Sequence, residues 1–353
     1  MKVYRFWWQL IFILKISGCF GQFANGVQPV KTYLEALFSP TPPYQTTRKP
    51  KLKLSSNSAN CGVRSSSYLP HLPSQHNLVT DPRIPRRRRG RIVWGRNDTM
   101  GSFPAPRGSF PWMASLFVLY NSGEALFMCA ATIVNQHILL TAAHCFTNNK
   151  TPETWFARVG DNFILHHDPS EQTFRVKEII IHENFDPLKD NGGDGRHDIA
   201  LVILRPHTNG AVIKYNQDVG PICFPKSEFP LANLYVNHCE IAGWGMTEYN
   251  NTSSYPDSVR GARIQVGDVP KSYCNHLYQR NVQETGKFCA GGQVDACQED
   301  SGGPLVCRLD DQRYYIIGIV SSGKGCGVYP GLYTEVSKYS NWVMNWVNEI
   351  TSW

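Results

Sequence analysis

Three short motifs supply the side chains that nucleophilic acyl transfer requires. A serine hydroxyl is a weak nucleophile at neutral pH and needs an adjacent base, usually a histidine whose tautomer a buried carboxylate can fix. The candidates are His144 in a Thr-Ala-Ala-His-Cys run, Asp198 at the head of an apolar run, and Ser301 in a Glu-Asp-Ser-Gly-Gly run. Because the glycines after Ser301 permit a tight turn, the sequence predicts a loop that exposes this serine for attack.

Short β-strands must position these candidates, since such strands dominate the chain after residue 91. Apolar and β-branched runs alternate with Gly, Pro, Asn and Asp, a pattern typical of an all-β barrel or sandwich. The predicted strands cover residues 112–120, 129–134, 138–140, 173–181, 199–204, 314–320 and 331–336. An amphipathic helix is predicted after them from the apolar stripe of Tyr339, Trp342, Val343, Trp346, Val347 and Ile350.

With the order His, Asp, Ser and these flanking motifs, residues 92–353 resemble the trypsin-like family of chymotrypsin-fold serine proteases. The resemblance covers nearly all of this segment. It implies an all-β fold of two six-stranded antiparallel β-barrels with a C-terminal α-helix. It also implies a serine endopeptidase in which His144 is the general base and acid, Asp198 orients it, and Ser301 is the nucleophile, with no cofactor and no metal.

The same resemblance implies a primary substrate pocket. Asp295 lies six residues before the nucleophile, where trypsin-like members carry the acid that pairs with a substrate Arg or Lys. Ala296 offers no hydroxyl beside it, which favours Arg over Lys. Gly323 and Gly331 match the small residues that keep the pocket walls open, and Ser321 matches a residue whose strand contacts the substrate backbone.

One residue departs from the family pattern inside the catalytic loop, since Glu299 stands where relatives have glycine. The resemblance implies that the backbone N–H groups of Glu299 and Ser301 form the oxyanion hole. Glutamate keeps the backbone N–H at position 299. If the loop requires a conformation that glycine favours, however, the glutamate side chain would add strain of about 1–3 kcal/mol. Ser322 also replaces a tryptophan beside the pocket. These departures leave two hypotheses open: an active but selective protease, or a weak or inactive homologue that binds partners or serves as a decoy.

A basic leader precedes the β-rich segment. Residues 1–91 carry 15 Lys and Arg against 2 Asp and Glu, whereas residues 92–353 carry 20 against 26. The positive charge therefore does not belong to a folded nucleic-acid-binding surface, and no nucleic-acid partner is expected. Lys2 and Arg5 before a short apolar run predict a signal peptide over residues 1–19, ending between 18 and 21. An uncleaved signal-anchor is the alternative.

Residues 20–91 are rich in Pro, Ser, Thr and Asn and read as a propeptide, mostly disordered. The junction between Arg91 and Ile92 resembles the activation site of the family. Cleavage there would free an ammonium at Ile92, which the resemblance pairs with Asp300. The spacing of Arg88 and Arg91 also suits secretory convertases. The protein is thus expected to be a zymogen.

The chain has 11 cysteines, ten of which would remain if the signal peptide ended after Cys19. An even number fits a disulfide framework in an oxidising compartment. The resemblance implies the pairs Cys61–Cys223, Cys129–Cys145, Cys239–Cys307, Cys274–Cys289 and Cys297–Cys326, the first of which would tether the propeptide to the catalytic chain.

Four sequons, at Asn97, Asn149, Asn250 and Asn251, fit a secreted, extracellular glycoprotein. The expected partners are protein or peptide substrates with Arg or Lys at the cleavage site, an activating protease and protein protease inhibitors. The expected state is a monomer with its propeptide attached.

Overall fold

The structure, a computed structural model, describes residues 61–64, 102–120, 122–186, 195–225, 239–292 and 294–351 of the 353-residue chain. The predicted signal peptide, the propeptide apart from residues 61–64, and Arg91, Ile92 and Asn97 lie outside the described residues. None of the helices that the structure describes is both long and apolar enough to cross a membrane.

Six antiparallel strands between Met113 and Leu204 close into a barrel, in the order β2-β3-β4-β7-β6-β5. Their bounds are β2 Met113–Leu119, β3 Ala125–Ile133, β4 Ile138–Thr141, β5 Trp155–Val159, β6 Gln172–Ile181 and β7 Ala200–Leu204. Alternate side chains point inward and fill the barrel with large apolar groups. Its core includes Leu116, Ile133, Leu139, Trp155, Phe174 and Val202.

A second, seven-stranded sheet has the order β1-β9-β8-β11-β12-β13-β10. Its strands are β1 Phe103–Pro104, β8 Cys239–Gly243, β9 Arg260–Ile264, β10 Lys287–Ala290, β11 Pro304–Arg308, β12 Tyr314–Ser322 and β13 Gly331–Glu335. Val266, two residues after the end of β9, forms an antiparallel β-bridge with Ala290 of β10. Six strands therefore form a ring, and the two-residue β1 is added at its edge.

Among the described residues, two α-helices accompany the strands, α1 over Lys271–Tyr278 and α2 over Ser340–Thr351. The buried residues Val343 and Val347 of α2 pack into the same core as Tyr339. The prediction of an all-β fold with a C-terminal helix is confirmed. Helix α1 was not predicted.

The two β-units share a core, and this fixes their relative position. One continuous cluster contains Ile138 and Leu140 from the barrel together with Ile316 and Ile319 from the second sheet. The amide of Ala130 on β3 also donates to a main-chain carbonyl in the Ser301 loop. Loops from both units therefore meet at this junction, where clefts commonly form.

Five disulfides link the described residues: Cys61–Cys223, Cys129–Cys145, Cys239–Cys307, Cys274–Cys289 and Cys297–Cys326. They are the five pairs that the family resemblance implies. The first holds the leader segment 61–64 on the domain. This segment also joins the sheet, since Gly62 donates to the carbonyl of Pro221 at 2.8 Å and accepts from the amide of Tyr314 at 2.9 Å.

Arg64 occupies a buried aromatic socket beyond this disulfide. Its guanidinium donates to the carboxylate of Glu240, and only 4% and 5% of the two side chains are exposed. The guanidinium carbon also lies 4.0, 4.5 and 5.3 Å from the ring centroids of Tyr314, Phe110 and Trp112. Cation–π attraction strengthens when the cation is desolvated, as here. We call these four partners of Arg64 the Arg64 socket.

Replacing Arg64 with alanine should lower the free energy of unfolding by about 3 kcal/mol. The change leaves Glu240 as a buried charge without its cation, which costs about 3–5 kcal/mol in comparable pairs. We expect the lower end because water can enter the space that the guanidinium leaves. Denaturant unfolding of the full chain measures the effect. Arg205→Ala, at an exposed arginine, is the control and should change stability by less than about 0.5 kcal/mol. Equal losses would contradict the prediction.

Candidate active site

His144 and Asp198 form a tightly held pair at the junction of the two β-units. His144 lies on a 3-10 turn, Ala143–Phe146, that follows β4, and the neighbouring disulfide of Cys145 ties this turn to β3. The imidazole Nδ1 lies 2.8 Å from Oδ2 of Asp198, and the backbone N–H of His144 donates to Oδ1 at 2.9 Å. The two contacts fix both the position and the ring orientation of the histidine.

The carboxylate of Asp198 is enclosed, since the residue is only 1% exposed. The Ser321 hydroxyl donates to its Oδ2 at 2.5 Å, and the Thr334 hydroxyl donates to its main-chain carbonyl at 2.8 Å. Burial favours the neutral acid, but the charges of His144 and Lys287 and the hydrogen bonds from His144 and Ser321 outweigh it. The net result is a pKa of Asp198 well below its usual range. Asp198 is therefore an anion beside the imidazole.

Ser301 lies on a turn that packs against the barrel near His144. Its carbonyl accepts from the amide of Ala130 at 2.9 Å. Gly302 follows with φ +79°, and a Cβ there would lie 2.0 Å from the hydroxyl of Thr141. Glycine is required at this position because any side chain would collide with the barrel. The close approach brings the Ser301 turn against the end of β4, three residues before His144.

Glu299 adopts a backbone conformation that glycine favours, with φ +73°. For a residue with a side chain this left-handed region stores strain of order 1–3 kcal/mol. Among the hydrogen bonds of the described residues, none is donated by the amides of Glu299 or Ser301. These two N–H groups belong to residues two positions apart in the same loop.

The segment 244–258 borders the catalytic loop and holds it through side chains. Gln298 accepts from the amide of Asn250 at 2.8 Å and donates to its side-chain oxygen at 2.5 Å, while its carbonyl accepts from the amide of Met246 at 3.0 Å. The Glu299 carboxylate accepts a hydrogen bond from the Tyr255 hydroxyl, and burial together with this contact raises the pKa of Tyr255. Two successive residues before Asp300 are therefore tied to the same segment.

Asp295 carries a buried carboxyl that lies between two glycines. A Cβ on Gly331 would lie 2.3 Å from its Oδ1, and a Cβ on Gly323 would lie 3.5 Å from its Oδ2. Oδ1 accepts from the Tyr333 hydroxyl at 3.2 Å and from the Ala296 amide at 2.9 Å. Burial raises the pKa of Asp295 to about 7, although these hydrogen bonds oppose the shift. A buried carboxyl with two small neighbours can accommodate a long cationic side chain.

Asp300, beside the predicted nucleophile, turns its carboxylate away from solvent. Oδ1 accepts from the amide of Gly245 at 2.8 Å and Oδ2 from that of Cys297 at 2.9 Å. Burial raises its pKa to about 6 despite these bonds. A cavity of about 40 Å³ adjoins this carboxylate and is lined in part by Ile241 and Gly243. The site can therefore accept a buried cation.

The predicted glycan acceptors that the structure describes all use their carboxamides within the protein. Asn149 donates to the Thr154 hydroxyl at 2.9 Å, and Asn251 donates to Glu248 at 2.7 Å. Asn250 binds Gln298, as described above. Glycosylation at these three positions remains a prediction.

Within the described residues, one group could by composition hold a metal ion: Cys129, His144 and Cys145. The two sulfurs are bonded to each other at 2.00 Å. Neither is then a thiolate, the form that binds metal. The donor set does not suit a metal ion.

Two contributions to this site were not predicted from the sequence. The Ser321 side chain contacts Asp198, whereas only its strand was expected to matter. Lys287 is fully buried on β10 and lowers the pKa of Asp198. The signal for Lys287 was available, because a lysine begins the otherwise apolar run Phe288-Cys289-Ala290.

Comparisons with known proteins agree with this arrangement. The family model described as "Trypsin" matches residues 99–343. Among curated proteins, Transmembrane protease serine 11G of Rattus norvegicus is 34% identical over 254 residues, which cover 69% of this chain and 54% of the relative. The chain thus spans about half the length of the curated relative that it matches.

Proposed function

The chain belongs to the trypsin family of serine proteases, and we propose from this premise that it is an endopeptidase that cleaves after arginine and less often after lysine. The observation that carries the proposal is the buried carboxyl of Asp295 between Gly323 and Gly331. A substrate guanidinium would pair with it bidentately, and this pairing favours arginine over lysine. Its substrates would be proteins or peptides.

The contacts between His144 and Asp198 support the following roles at the proposed reaction centre. Ser301 Oγ attacks the scissile carbonyl carbon while Nε2 of His144 takes its proton, and Asp198 stabilises the imidazolium. The oxyanion of the tetrahedral intermediate is bound by the N–H groups of Glu299 and Ser301. The C–N bond then breaks as His144 returns the proton to the leaving amine, and water hydrolyses the acyl-enzyme by the same steps. We expect no cofactor.

We also propose that the protein is made as a zymogen and cleaved between Arg91 and Ile92. The free ammonium of Ile92 would enter the cavity beside Asp300 and pair with its carboxylate. The raised pKa of Asp300 supports this, because burial disfavours the charged form until a cation arrives. Gly243 and Gly245 leave room there, since a Cβ at either would lie within 2.6 Å of the carboxylate oxygen.

Secretion remains part of the proposal. It rests on the basic and apolar pattern of the first residues and on the five disulfides, which form in oxidising compartments. The alternative is an uncleaved signal-anchor, which the word "transmembrane" in the rat relative's name favours. Carbonate extraction of membranes from expressing cells separates the two, because an anchored chain stays in the pellet.

A second candidate function is a weak or inactive homologue that binds partners or serves as a decoy. The strained φ of Glu299 favours it. Treating the full chain, cut after Arg91, with a serine-directed phosphonate that resembles arginine tests both candidates. Covalent labelling that disappears in Ser301→Ala supports the protease. No labelling of the cut protein, in conditions that label trypsin, would establish the homologue instead.

Replacing Glu299 with glycine should raise kcat on small arginine peptides about tenfold. Glycine removes strain of order 1–3 kcal/mol from the conformation that presents the oxyanion donor. Gln312→Gly is the matched control, because Gln312 also has a left-handed φ, +66°, but lies in the exposed turn between β11 and β12. Its kcat should not change. An unchanged or lower kcat in Glu299→Gly would show that Glu299 does not restrain the enzyme.

A further inference from the structure

A lysine lies fully buried in the second sheet, close enough to Asp198 to act on its carboxylate. Lys287 is the first residue of β10 and is 0% exposed. Lysine is almost never fully buried unless its charge is balanced, because desolvating an ammonium is costly. A buried lysine so close to a reaction centre therefore needs a functional explanation.

The strand register directs Lys287 toward Asp198. Lys287 is paired with Thr334 on the antiparallel strand β13. Directly opposite residues of such a pair project to the same face of the sheet. Thr334 is also 0% exposed, and its hydroxyl donates to the carbonyl of Asp198 at 2.8 Å. Lys287 thus lies on the face of the second sheet that packs against Asp198.

The other ionisable groups that face this segment include His144, His197, Glu335 and Tyr339, and His182 stacks on His197 with its ring centroid 4.9 Å away. Tyr339 packs its hydroxyl against Gly286, beside Lys287, and contacts Nδ1 of His197 at 3.0 Å. Burial lowers the pKa of His197 and raises that of Tyr339, so both are neutral near pH 7. Glu335 pairs with Lys338 at 3.0 Å. The charge balance at Asp198 is therefore between Lys287 and His144.

We propose that Lys287 is a positioning residue for catalysis, a buried counter-charge that limits how strongly the Asp198 carboxylate acts on His144. A cation behind the carboxylate offsets part of its field at the imidazole. The protonated imidazole is then stabilised less than it would be with a neutral residue at 287. This role rests on the proposed protease function.

The test is Lys287→Met in the full chain, cut after Arg91. The midpoint of the acid limb of kcat/KM should move up by about one pH unit, the shift expected for removing one nearby buried charge. The C2–H resonance of His144, followed by NMR in a Ser301→Ala background, should titrate at a pH higher by the same amount. Lys287→Arg keeps the charge and should restore the native midpoint.

Thr334→Val provides the contrast, because it removes the hydroxyl contact with the Asp198 carbonyl and leaves the charge of Lys287. It should lower kcat without moving either midpoint. Lys287→Gln, also neutral, replaces Lys287→Met if the latter does not fold. An unmoved NMR midpoint in a folded neutral variant overturns the proposal. The NMR titration tests the role of Lys287 even in a chain without protease activity. Failure of the proposed protease function is recognised separately, by the absence of phosphonate labelling.

Discussion

Asp198→Asn should lower kcat about 10⁴-fold at neutral pH, the size of loss that this exchange produces in a serine-protease triad. The physical reason lies in the two oxygens of Asp198. Oδ1 accepts from the amide of His144, so an asparagine would keep its oxygen there and turn its NH₂ toward Nδ1. Nδ1 would then have to accept a hydrogen bond, and the proton would move to Nε2, where the base must be free to act on Ser301.

Steady-state kinetics on an arginine peptide measure this loss. Ser321→Ala is the companion variant, because it removes one hydrogen bond to Oδ2 and leaves the carboxylate. It should reduce kcat by about ten- to a hundredfold, in line with the ~1.5–3 kcal/mol of one hydrogen bond to a charged group. A loss below about tenfold in Asp198→Asn would mean that Asp198 does not determine the tautomer of His144.

Asp295→Ser should lower kcat/KM for arginine peptides by about 10³-fold. Removing one partner of a buried charge pair costs about 3–5 kcal/mol, and each 1.4 kcal/mol corresponds to a factor of ten. The substrate serves as the internal control, because the variant should cleave peptides with a neutral residue before the scissile bond no more slowly than the native enzyme. An equal loss on both peptides would indicate damage to the catalytic centre instead.

In the native protein, the ionisation of Asp295 should control how the binding of a cationic inhibitor depends on pH. Burial raises the pKa of Asp295 to about 7, so the neutral acid predominates below that pH and the anion above it. Benzamidine, a cation, should therefore bind most tightly above pH 7 and lose about tenfold in affinity for each pH unit below it. In Asp295→Ser, benzamidine should bind weakly, and its affinity should not fall between pH 7 and pH 5. Inhibition constants between pH 5 and 8.5 measure both.

The candidate reaction centre could be proposed from the sequence because its parts occur in short contiguous motifs. His144, Asp198 and Ser301 each have neighbours whose type follows from local geometry, as Gly302 shows where its Cβ would meet Thr141. The fold class could be predicted for a similar reason, since the barrel strands are apolar runs separated by turn residues. Local pattern and chemistry agree in these regions.

Strands of the second sheet were harder to predict because tertiary contacts override their local pattern. In β9, over Arg260–Ile264, Gly261 breaks the apolar alternation, yet it is needed because a Cβ would lie 2.7 Å from the ring of Phe110. β11 begins at Pro304, a residue that usually argues against a strand but is tolerated at its first position. Such requirements come from residues distant in the chain.

Helix α1 and the conformation of Glu299 illustrate the same limit. The helix sequence is largely polar without a long apolar stripe, and a disulfide from Cys274 to Cys289 ties it to the neighbouring strand β10. The sequence shows that Glu299 departs from the family, but only the structure shows that its φ is +73°. The neighbours that impose this conformation are set by the fold.

Because residues 61–64 are anchored on the domain, cleavage of the chain and release of the leader are separate events. Under the proposed activation, hydrolysis after Arg91 doubles the number of polypeptides but leaves the number of particles unchanged, because the Cys61–Cys223 disulfide and the Arg64 socket retain the leader. Maturation would therefore be invisible to gel filtration and visible on a reducing gel. Any sorting or anchoring signal upstream of Cys61 would then stay attached to the cleaved protein through this disulfide.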